Sequence, residues 1–238
     1  MSGSAVDEEK RAAGYAAVDR FVHRGMRCIG LGTGSTAFWA IDRLGARVAE
    51  GWELVAVATS VETERLCEER GIRTVGLLEG PPIEVAIDGA DEVAPDFALT
   101  KGGGGALFRE KAVALAAKKF VVVVGENKLV RRLGKFPLPV EVVPFSARYV
   151  ERELRLMCPS VELRMRAGAP FVTDNGNYIL DCAFGEIPAP GELDHGLRAI
   201  HGVVATGLFV NLAAHVLVGS PSGVSELERA SSKTNLPL

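Results

Sequence analysis

The sequence predicts an α/β fold in which a doubly wound, mostly parallel sheet is joined to a smaller inserted α+β domain. Two observations predict it. Through residue 124, short apolar runs alternate with stretches of helical periodicity, as in repeated βαβ units. After Gly134 the pattern changes to prolines, shorter apolar runs and a hairpin turn. We therefore expect residues 1–133 and 210–238 to form the parallel-sheet domain and residues 134–209 to form the smaller one.

The composition excludes several classes of protein. Of the 238 residues, 47% are hydrophobic and 24% are charged, which is typical of a globular chain and not of a disordered one. Lys and Arg number 27 against 30 Asp and Glu, giving a formal charge of −3, so we expect no binding to nucleic acid or to an anionic membrane.

The cysteines and the apolar runs indicate the cellular compartment in which the protein is expected. The four cysteines form no C-x-x-C pair, and we expect them to be buried thiols of a reducing compartment. Residues 1–11 contain no apolar leader segment, and no run approaches the roughly 20 apolar residues of a membrane span. A cytoplasmic protein is therefore expected.

The helices and strands of the first half follow from periodicity. Alanines and larger apolar residues at spacings of three and four predict helices, and short apolar runs closed by glycine or polar residues predict strands. The predicted elements, in order, are helix Ala5–His23, strand Met26–Leu31, helix Thr36–Glu50, strand Leu54–Ala58, helix Val61–Arg70, strands Thr74–Leu77 and Val85–Ile87, helix Ala106–Lys118 and strand Phe120–Val124. Leu54–Ala58 is typical of a strand buried on both faces, and Phe120–Val124 is the strongest strand in the chain.

The second half is predicted to contain shorter elements. Prolines at 137, 139 and 144 punctuate one short strand, and Asp174–Asn177 is a hairpin turn because Asn and Gly tolerate positive φ. The other elements are helix Ala147–Leu156, strands Val161–Met165, Phe171–Thr173 and Tyr178–Ala183, helix Leu193–Ile200 and strand Val203–Phe209. Val216–Val218 is predicted to return to the parent sheet, and the polar tail from Ser225 is predicted to fray at its end.

A glycine-rich turn after the first strand predicts a phosphate site. Residues 30–36, GLGTGST, follow a strand and open a helix, so backbone N–H groups, hydroxyls and the helix dipole converge where an anion is favoured. A dinucleotide site is disfavoured, because Ser35 replaces a required Gly, and Thr59 and Ser60 stand where an acidic residue is needed. An ordinary capped strand-to-helix turn is the alternative.

A pair of aspartates follows another predicted strand. The segment IDGADE, residues 87–92, carries Asp88 and Asp91 at the sheet edge where ligands of such folds bind. Gly89 and Ala90 between them are small enough for a ligand to approach the backbone. A turn in which Asp caps the next element is the alternative. A metal site is disfavoured, because none of the four histidines is near these acids in sequence.

Four consecutive glycines follow Lys101. Each costs about 0.5 to 1 kcal/mol relative to Ala in regular structure, so the run indicates a need for bare backbone. We interpret residues 102–105 as a cradle of N–H groups for developing negative charge, with Lys101 adding a full positive charge. A flexible linker is the alternative. Glu110 falls in the first turns of the following helix, where an exposed Glu is common.

Together these residues indicate proton transfer beside a carbonyl group. They supply hydroxyls and N–H groups for a phosphate, a pair of aspartates, a lysine with a glycine cradle and one further carboxylate. No Ser–His or Cys–His nucleophile is evident, and no metal or redox cofactor is implied. Acid–base chemistry on a phosphorylated carbonyl compound is what such a set performs unaided.

At these motifs the chain resembles the type A ribose-5-phosphate isomerase family. The matching segments are GLGTGST (30–36), IDGADE (87–92), KGGGGALFREK (101–111), GKFPLPVEV (134–142) and VTDNGNYILD (172–181). They span most of the chain in the family's order. The resemblance implies a Rossmann-like catalytic domain with an α+β, ferredoxin-like lid. It also implies a cofactor-free interconversion of ribose 5-phosphate and ribulose 5-phosphate through a cis-enediolate.

The resemblance further implies which residues act. Glu110 matches the family's proton acceptor, and Asp88 with Lys101 is expected to assist opening of the furanose ring. The implied substrate-binding residues are Thr33, Gly34, Ser35, Thr36, Asp88, Gly89, Ala90, Asp91, Lys101, Gly102, Gly103, Gly104 and Lys128. A homodimer or homotetramer is in keeping with the resemblance.

One matching segment departs from the family's pattern, and two other functions stay open. Before Lys128, Gly125 stands where an Asp is usual and Asn127 where a Ser or Thr is usual. One alternative is a related enzyme, such as a sugar-phosphate deaminase or CoA transferase. The other is the sugar-phosphate-sensing domain of a transcriptional regulator. It is disfavoured, because only about 25 residues precede the first predicted strand, too few for a helix-turn-helix domain.

Overall fold

The computed structural model describes residues 5–77 and 79–229. These residues form six α-helices: α1 (Ala5–Phe21), α2 (Ala37–Ala49), α3 (Val61–Glu69), α4 (Leu107–Ala116), α5 (Ala147–Leu154) and α6 (Pro190–Arg198). Their strands are β1 (Cys28–Leu31), β2 (Val55–Ala58), β3 (Arg73–Thr74), β4 (Val85–Asp88), β5 (Glu92–Val93), β6 (Leu99–Thr100), β7 (Phe120–Gly125), β8 (Leu138–Val142), β9 (Ser160–Leu163), β10 (Met165–Arg166), β11 (Ala169–Pro170), β12 (Tyr178–Ala183), β13 (Val203–Thr206), β14 (Leu208–Phe209), β15 (His215–Ser220) and β16 (Gly223–Glu228). No helix in the described ranges is both long enough and apolar enough to cross a membrane.

A seven-stranded sheet forms the centre of the molecule, in the order β16-β15-β7-β4-β1-β2-β3. All neighbouring strands are parallel except β15 and β16, so the predicted parallel sheet is confirmed. Alternate side chains of β7 face opposite layers: Val121 and Val123 pack with α1 and α2, whereas Val122 and Val124 pack with Val113 of α4. The strand order reverses between β1 and β4, and ligands of such sheets bind at the carboxyl ends of the strands there.

A second, four-stranded antiparallel sheet in the order β13-β8-β12-β9 forms the smaller unit with α5 and α6. Val140 of β8, Leu154 of α5 and Leu197 of α6 share one apolar core. We call residues 134–209 the lid; these limits remain a prediction. Within a third, three-stranded sheet, β14 at the end of the lid pairs with β6, the strand just before the glycine run.

Helix α1 reaches the carboxyl edge of the central sheet. It packs against β7 and β15, where Gly125 and Gly219 are partners in register. Glycine is required at 219, because a Cβ there would overlap the backbone of Glu9. This close approach brings the first turns of α1 to the edge at which β1 and β4 also end.

Three predicted strands form differently. No strand forms at Phe171–Thr173, because the Thr173 hydroxyl accepts the N–H groups of residues 175 and 177 and so begins the hairpin turn. The predicted strand Val161–Met165 is divided into β9 and β10. A tight turn at Ala167 and Gly168, both at positive φ, pairs β10 with β11. The strand predicted at Thr74–Leu77 is β3, at Arg73–Thr74, because Gly76 opens a turn closed by the Glu79 N–H.

Two further differences lie near the end of the chain. The predicted strand Val203–Phe209 breaks into β13 and β14 at Gly207, whose N–H donates to Pro139 O. The tail prediction is wrong for residues 225–228, because β16 pairs with β15 along its whole length. Its polar composition is typical of an exposed edge strand. The rest of that predicted tail, residues 230–238, lies outside the described residues.

Candidate active site

A cavity of about 330 Å³ opens at the carboxyl ends of β1, β4 and β7. It brings together every predicted site residue except Asp88, which lies just beneath its wall. The predicted residues that line it are Thr33, Gly34, Ser35, Thr36, Gly89, Ala90, Asp91, Lys101, Gly102, Gly103, Gly104, Glu110 and Lys128. Segments separated by up to 95 positions in sequence thus meet at the edge where the strand order reverses.

Asp88 is the last residue of β4 and is buried. Its Oδ1 accepts the N–H groups of Thr33 at 3.1 Å and Gly89 at 2.7 Å, and its Oδ2 lies 3.0 Å from Lys101 Nζ. Burial raises the pKa of the Asp88 carboxyl, and Lys101 and the two N–H groups oppose that rise. Gly32 is required beside it, because a Cβ there would overlap the Asp88 carboxylate. Asp88 therefore joins two loops of the cavity to Lys101.

Lys101 lies between two carboxylates and is only 2% exposed. Its Nζ donates to Gly89 O at 2.6 Å and lies 3.0 Å from Asp88 Oδ2 and 3.5 Å from Glu110 Oε2. Burial favours the neutral amine, but Asp88 and Glu110 outweigh it and raise the pKa of Lys101. Before substrate binds, the lysine is therefore positively charged in the wall of the cavity.

Glu110 is in the first turn of α4. A Glu in a first turn is commonly exposed, but this side chain is buried, with only 5% of the residue exposed. Burial raises the pKa of its carboxyl to about 8; Asp88 and Asp91 add to the rise and Lys101 opposes it. A carboxylate with such a pKa is a far stronger base than Glu in water, whose pKa is about 4.3. Glu110 can therefore gain and lose a proton near neutral pH.

The four glycines of the run 102–105 have separate structural causes. Gly102 and Gly105 have positive φ, of 103° and 88°, and a Cβ on Gly105 would overlap the ring of Phe171. The Gly103 N–H donates to Asp91 Oδ2 at 2.8 Å. Gly104 differs, because the nearest described atom to a Cβ placed there is a methyl carbon of Thr33 at 3.8 Å. An N–H cradle thus explains only part of the run; lid packing and turn geometry explain the rest.

The loop 33–36 rests on buried hydroxyl groups that sequence reasoning did not use. The Thr33 hydroxyl hydrogen-bonds to those of Thr59 and Ser60 at 2.8 Å and of Thr63 at 3.1 Å. The dinucleotide pattern marks Thr59 and Ser60 only as positions that lack an acid. Their place directly after β2, at the same sheet edge, is the signal that could have identified them.

Two polar residues missed by the sequence analysis also line the cavity. Lys10, from α1, lies at the same cavity as Lys128, and Asn127 adjoins the latter in the 3₁₀ turn Glu126–Lys128. Lys10 is 118 positions from Lys128, and its helix carries no local motif. In the sequence, Asn127 stands out only as a departure from the family's pattern.

The four cysteines lie apart from this cavity. Cys28, Cys67, Cys158 and Cys182 are buried free thiols, as predicted, and burial raises the pKa of the Cys67 thiol to about 12. In the ranges 5–77 and 79–229, no three His, Cys, Asp or Glu side chains gather as a group that could hold a metal ion. The described reactive groups at the cavity are carboxylates, ammonium groups, hydroxyls and backbone N–H groups.

Comparison with known families shows to which family the chain belongs. The model of the family described as Ribose 5-phosphate isomerase A (phosphoriboisomerase A) matches residues 55–223. The chain belongs to the ribose-5-phosphate isomerase A family. Among relatives with that name, the one from Bacillus mycoides (strain KBAB4) is 46% identical over 219 residues, covering 91% of this chain and 98% of the relative. The one from Methanothermobacter thermautotrophicus is 46% identical over 221 residues, covering 92% and 96%.

Solved ribose-5-phosphate isomerases share the fold over nearly their whole length. One, in complex with phospho-erythronic acid, superposes with a TM-score of 0.90 at 39% identity, covering 96% of this chain and 100% of the other. The ribose 5-phosphate isomerase A of Methanocaldococcus jannaschii gives a TM-score of 0.87 at 41% identity, covering 93% and 99%. The family resemblance inferred from the five motifs is confirmed.

Proposed function

We propose that Glu110 is the base with which this chain interconverts D-ribose 5-phosphate and D-ribulose 5-phosphate, the reaction of its family. One observation carries the assignment. Glu110 is a buried carboxylate at the cavity, 3.5 Å from a buried ammonium group, with a pKa raised to about 8. An aldose–ketose isomerisation needs such a base beside a positive charge, because a weakly acidic C–H proton must leave while charge develops on oxygen.

Ring opening is assigned to the Asp88–Lys101 pair. Ribose 5-phosphate is mostly a closed furanose, and opening the ring protonates the ring oxygen and removes the proton of the C1 hydroxyl. Lys101 donates the proton to the ring oxygen, and the pair takes back the proton from the hydroxyl. The 3.0 Å contact between Asp88 Oδ2 and Lys101 Nζ supports this exchange. It frees the C1 aldehyde, which makes the C2 proton acidic.

Glu110 then moves one proton between neighbouring carbons. It removes the C2 proton, giving a cis-enediolate whose negative charge faces Lys101 and N–H groups of the glycine run. It returns the proton to C1 while the proton of the O2 hydroxyl passes to the neighbouring O1, which gives the C1 hydroxyl and C2 carbonyl of the ketose. The solved relative holds phospho-erythronic acid. The carboxylate of this compound has two oxygens on one planar carbon, and the enediolate has one oxygen on each of two planar carbons. We propose that this cavity binds the compound as it binds the enediolate.

The phosphate is assigned to the opposite wall of the cavity. Gly34, Ser35 and Thr36 open α2, Lys128 projects from the turn after β7, and Lys10 is added from α1. Backbone N–H groups at a helix start, hydroxyls and two ammonium groups together suit a phosphate dianion.

Replacing Lys128 with Met is expected to raise KM for ribose 5-phosphate about 10- to 100-fold, because a hydrogen bond to a charged group contributes about 1.5 to 3 kcal/mol. The turnover number kcat should change little, since the phosphate charge is the same in substrate and transition state. Steady-state kinetics would measure both. Lys118→Met, at an exposed lysine beyond α4, serves as the control. An unchanged KM for the Lys128 variant would exclude this lysine from phosphate binding.

The pH dependence of kcat/KM is expected to follow Glu110. As a base it must be unprotonated, so kcat/KM should rise with pH and level off above the pKa of about 8. Below that pKa, the rate should fall about tenfold per pH unit. Initial rates from pH 5.5 to pH 9.5, with buffers matched in ionic strength, would show this limb. A profile that is flat between about pH 6 and 9 would contradict a base with a raised pKa.

We also propose that the chain is a cytoplasmic homodimer or homotetramer. It is expected to bind neither nucleic acid nor membranes. The net charge of −3 supports the lack of nucleic-acid and membrane binding. Phe145 is 100% exposed and Leu156 is 80% exposed, so the lid offers apolar side chains that a second copy could cover. Light scattering of the purified protein would report the number of copies.

The reaction itself is tested by ketose formation from ribose 5-phosphate with protein treated with EDTA. Activity that survives chelation is the expected result. Failure to form ketose would contradict the proposed function. Activity lost on chelation and restored by a divalent metal would contradict the proposal that this chain's own side chains carry the chemistry.

A further inference from the structure

Arg164 joins the lid to the glycine run. Its backbone N–H donates to Ile179 O at 2.8 Å, and the Phe171 N–H donates to Arg164 O at 2.8 Å, so both sides of its peptide backbone are fixed. Its side chain is only 15% exposed and is paired with Asp181 of β12. Nε donates to Oδ2 at 2.9 Å and Nη2 to Oδ1 at 2.5 Å. This bidentate ion pair fixes the orientation of the guanidinium group.

The third nitrogen of Arg164 binds the glycine run itself. Nη1 donates to Gly102 O at 2.8 Å and to Gly103 O at 3.2 Å. A peptide group is planar and trans, so the Gly103 carbonyl and the Gly104 N–H point in opposite directions. Holding that carbonyl at Arg164 therefore turns the Gly104 N–H away from the lid. Gly104 lines the cavity, and its N–H has no acceptor in the part of the chain that the structure describes.

Asp91 and Arg164 together hold the peptide planes on either side of Gly103. Its N–H is bound to Asp91 Oδ2 at 2.8 Å, while its carbonyl is bound to Arg164. Phe171, whose ring occupies the space beside Gly105, lies with its centroid 6.0 Å from the Arg164 guanidinium carbon. The lid thus contacts the run by a charged group and by an aromatic ring, and only the charged group binds its carbonyls.

We propose that Arg164 is a positioning residue for the isomerisation, holding the glycine run so that the Gly104 N–H faces the oxygen on which the enediolate charge develops. This inference rests on the proposed function. The N–H meets a full negative charge only when the C2 proton leaves, so Arg164 should influence kcat more than KM. Its positive charge also polarises the two carbonyls that it binds and strengthens the N–H groups of the same peptides as donors.

Arg164→Gln tests this proposal, because kcat should fall while KM should change little. Loss of one oxyanion donor costs about 10²- to 10³-fold in kcat, and misplacement of one should cost about 10- to 100-fold, with KM within about threefold. Inhibition by phospho-erythronic acid should weaken by the same factor as kcat/KM. Arg166→Gln is the matched control: this exposed lid arginine stacks on Phe171 at 4.5 Å, and no hydrogen bond joins it to the run in residues 5–77 and 79–229. It should keep wild-type constants.

A second variant separates positioning from folding. Arg164→Ala should regain part of its lost kcat when methylguanidine is added, because the free cation can occupy the site between Asp181 and the carbonyls of Gly102 and Gly103. The proposal is overturned if KM rises while kcat is unchanged. It is also overturned if Arg166→Gln loses as much activity, or if methylguanidine rescues nothing in a variant that melts at the wild-type temperature.

The outcome is distinguishable from failure of the proposed function itself. Glu110→Gln measured in parallel reports on the base. A slow Glu110 variant beside a fully active Arg164→Gln would overturn only the role of Arg164. A fully active Glu110 variant would overturn the proposed function.

Discussion

Replacing Glu110 with Gln is expected to lower kcat by about 10²- to 10⁴-fold, the usual cost of removing a general base. Gln keeps the size of the side chain and its place beside Lys101 but cannot accept the C2 proton. Affinity for ribose 5-phosphate should remain close to that of the wild type, because the phosphate is assigned to the opposite wall of the cavity. Steady-state kinetics and calorimetric titration with the substrate would measure the two quantities.

The matched control is Glu53→Gln. Glu53 is exposed and precedes β2, at the amino end of the sheet and so opposite the cavity. Its replacement should leave kcat and KM unchanged. A Glu110→Gln protein with near-normal turnover would require another base and would remove the central assignment.

Replacing Lys101 with Met is expected to lower both kcat and stability. Without the ammonium group, the carboxylates of Asp88 and Glu110 face each other in a buried space, and the enediolate loses its nearest positive charge. Removing one partner of a buried ion pair costs about 3 to 5 kcal/mol of unfolding free energy. Loss of the electrostatic stabilisation should cost about 10²- to 10³-fold in kcat. Urea unfolding and initial rates, measured well below the melting temperature, would check the two effects.

The Lys101→Met variant is also expected to change the pH dependence of kcat/KM. Lys101 opposes the rise in the pKa of Glu110, so its loss should move the alkaline-rising limb of kcat/KM to still higher pH. Lys118→Met, an exposed lysine, should change neither stability nor profile. A Lys101→Met protein that keeps wild-type kcat, with only its stability reduced, would show that this lysine is structural.

Much of the cavity could be predicted because its parts are local in sequence. Each of the segments 30–36, 87–92 and 101–105 ends at the same sheet edge, and each has an unusual composition. The parallel order of β1 and β4 brings the first two together, and the third opens α4, the helix that leads back to the start of β7. Lys128, in the turn that follows β7, is predicted from the family resemblance and not from a local pattern of its own.

What could not be predicted depends on contacts between distant parts of the chain. Lys10 reaches the cavity only because Gly219, far along the sequence, admits α1 closely. Arg164 binds the glycine run because the lid folds back over it, and no local pattern marks this arginine. The short strands β5, β6 and β14 have two residues each, too few for periodicity to be read. The polar edge strand β16 lacks the apolar run by which its neighbours were recognised.

The central claim is that one carboxylate, Glu110, removes the C2 proton and returns it to C1. Incubation with ribose 5-phosphate in D₂O, followed over many turnovers by NMR, tests it most directly. The wild-type protein should introduce deuterium at C2 of the aldose and C1 of the ketose, because a proton held on a carboxylate exchanges with solvent between transfers. Glu110→Gln should introduce none above the uncatalysed background. Deuterium incorporation by this variant at the wild-type rate would contradict the account, as would ketose formed by the wild type with no deuterium on carbon.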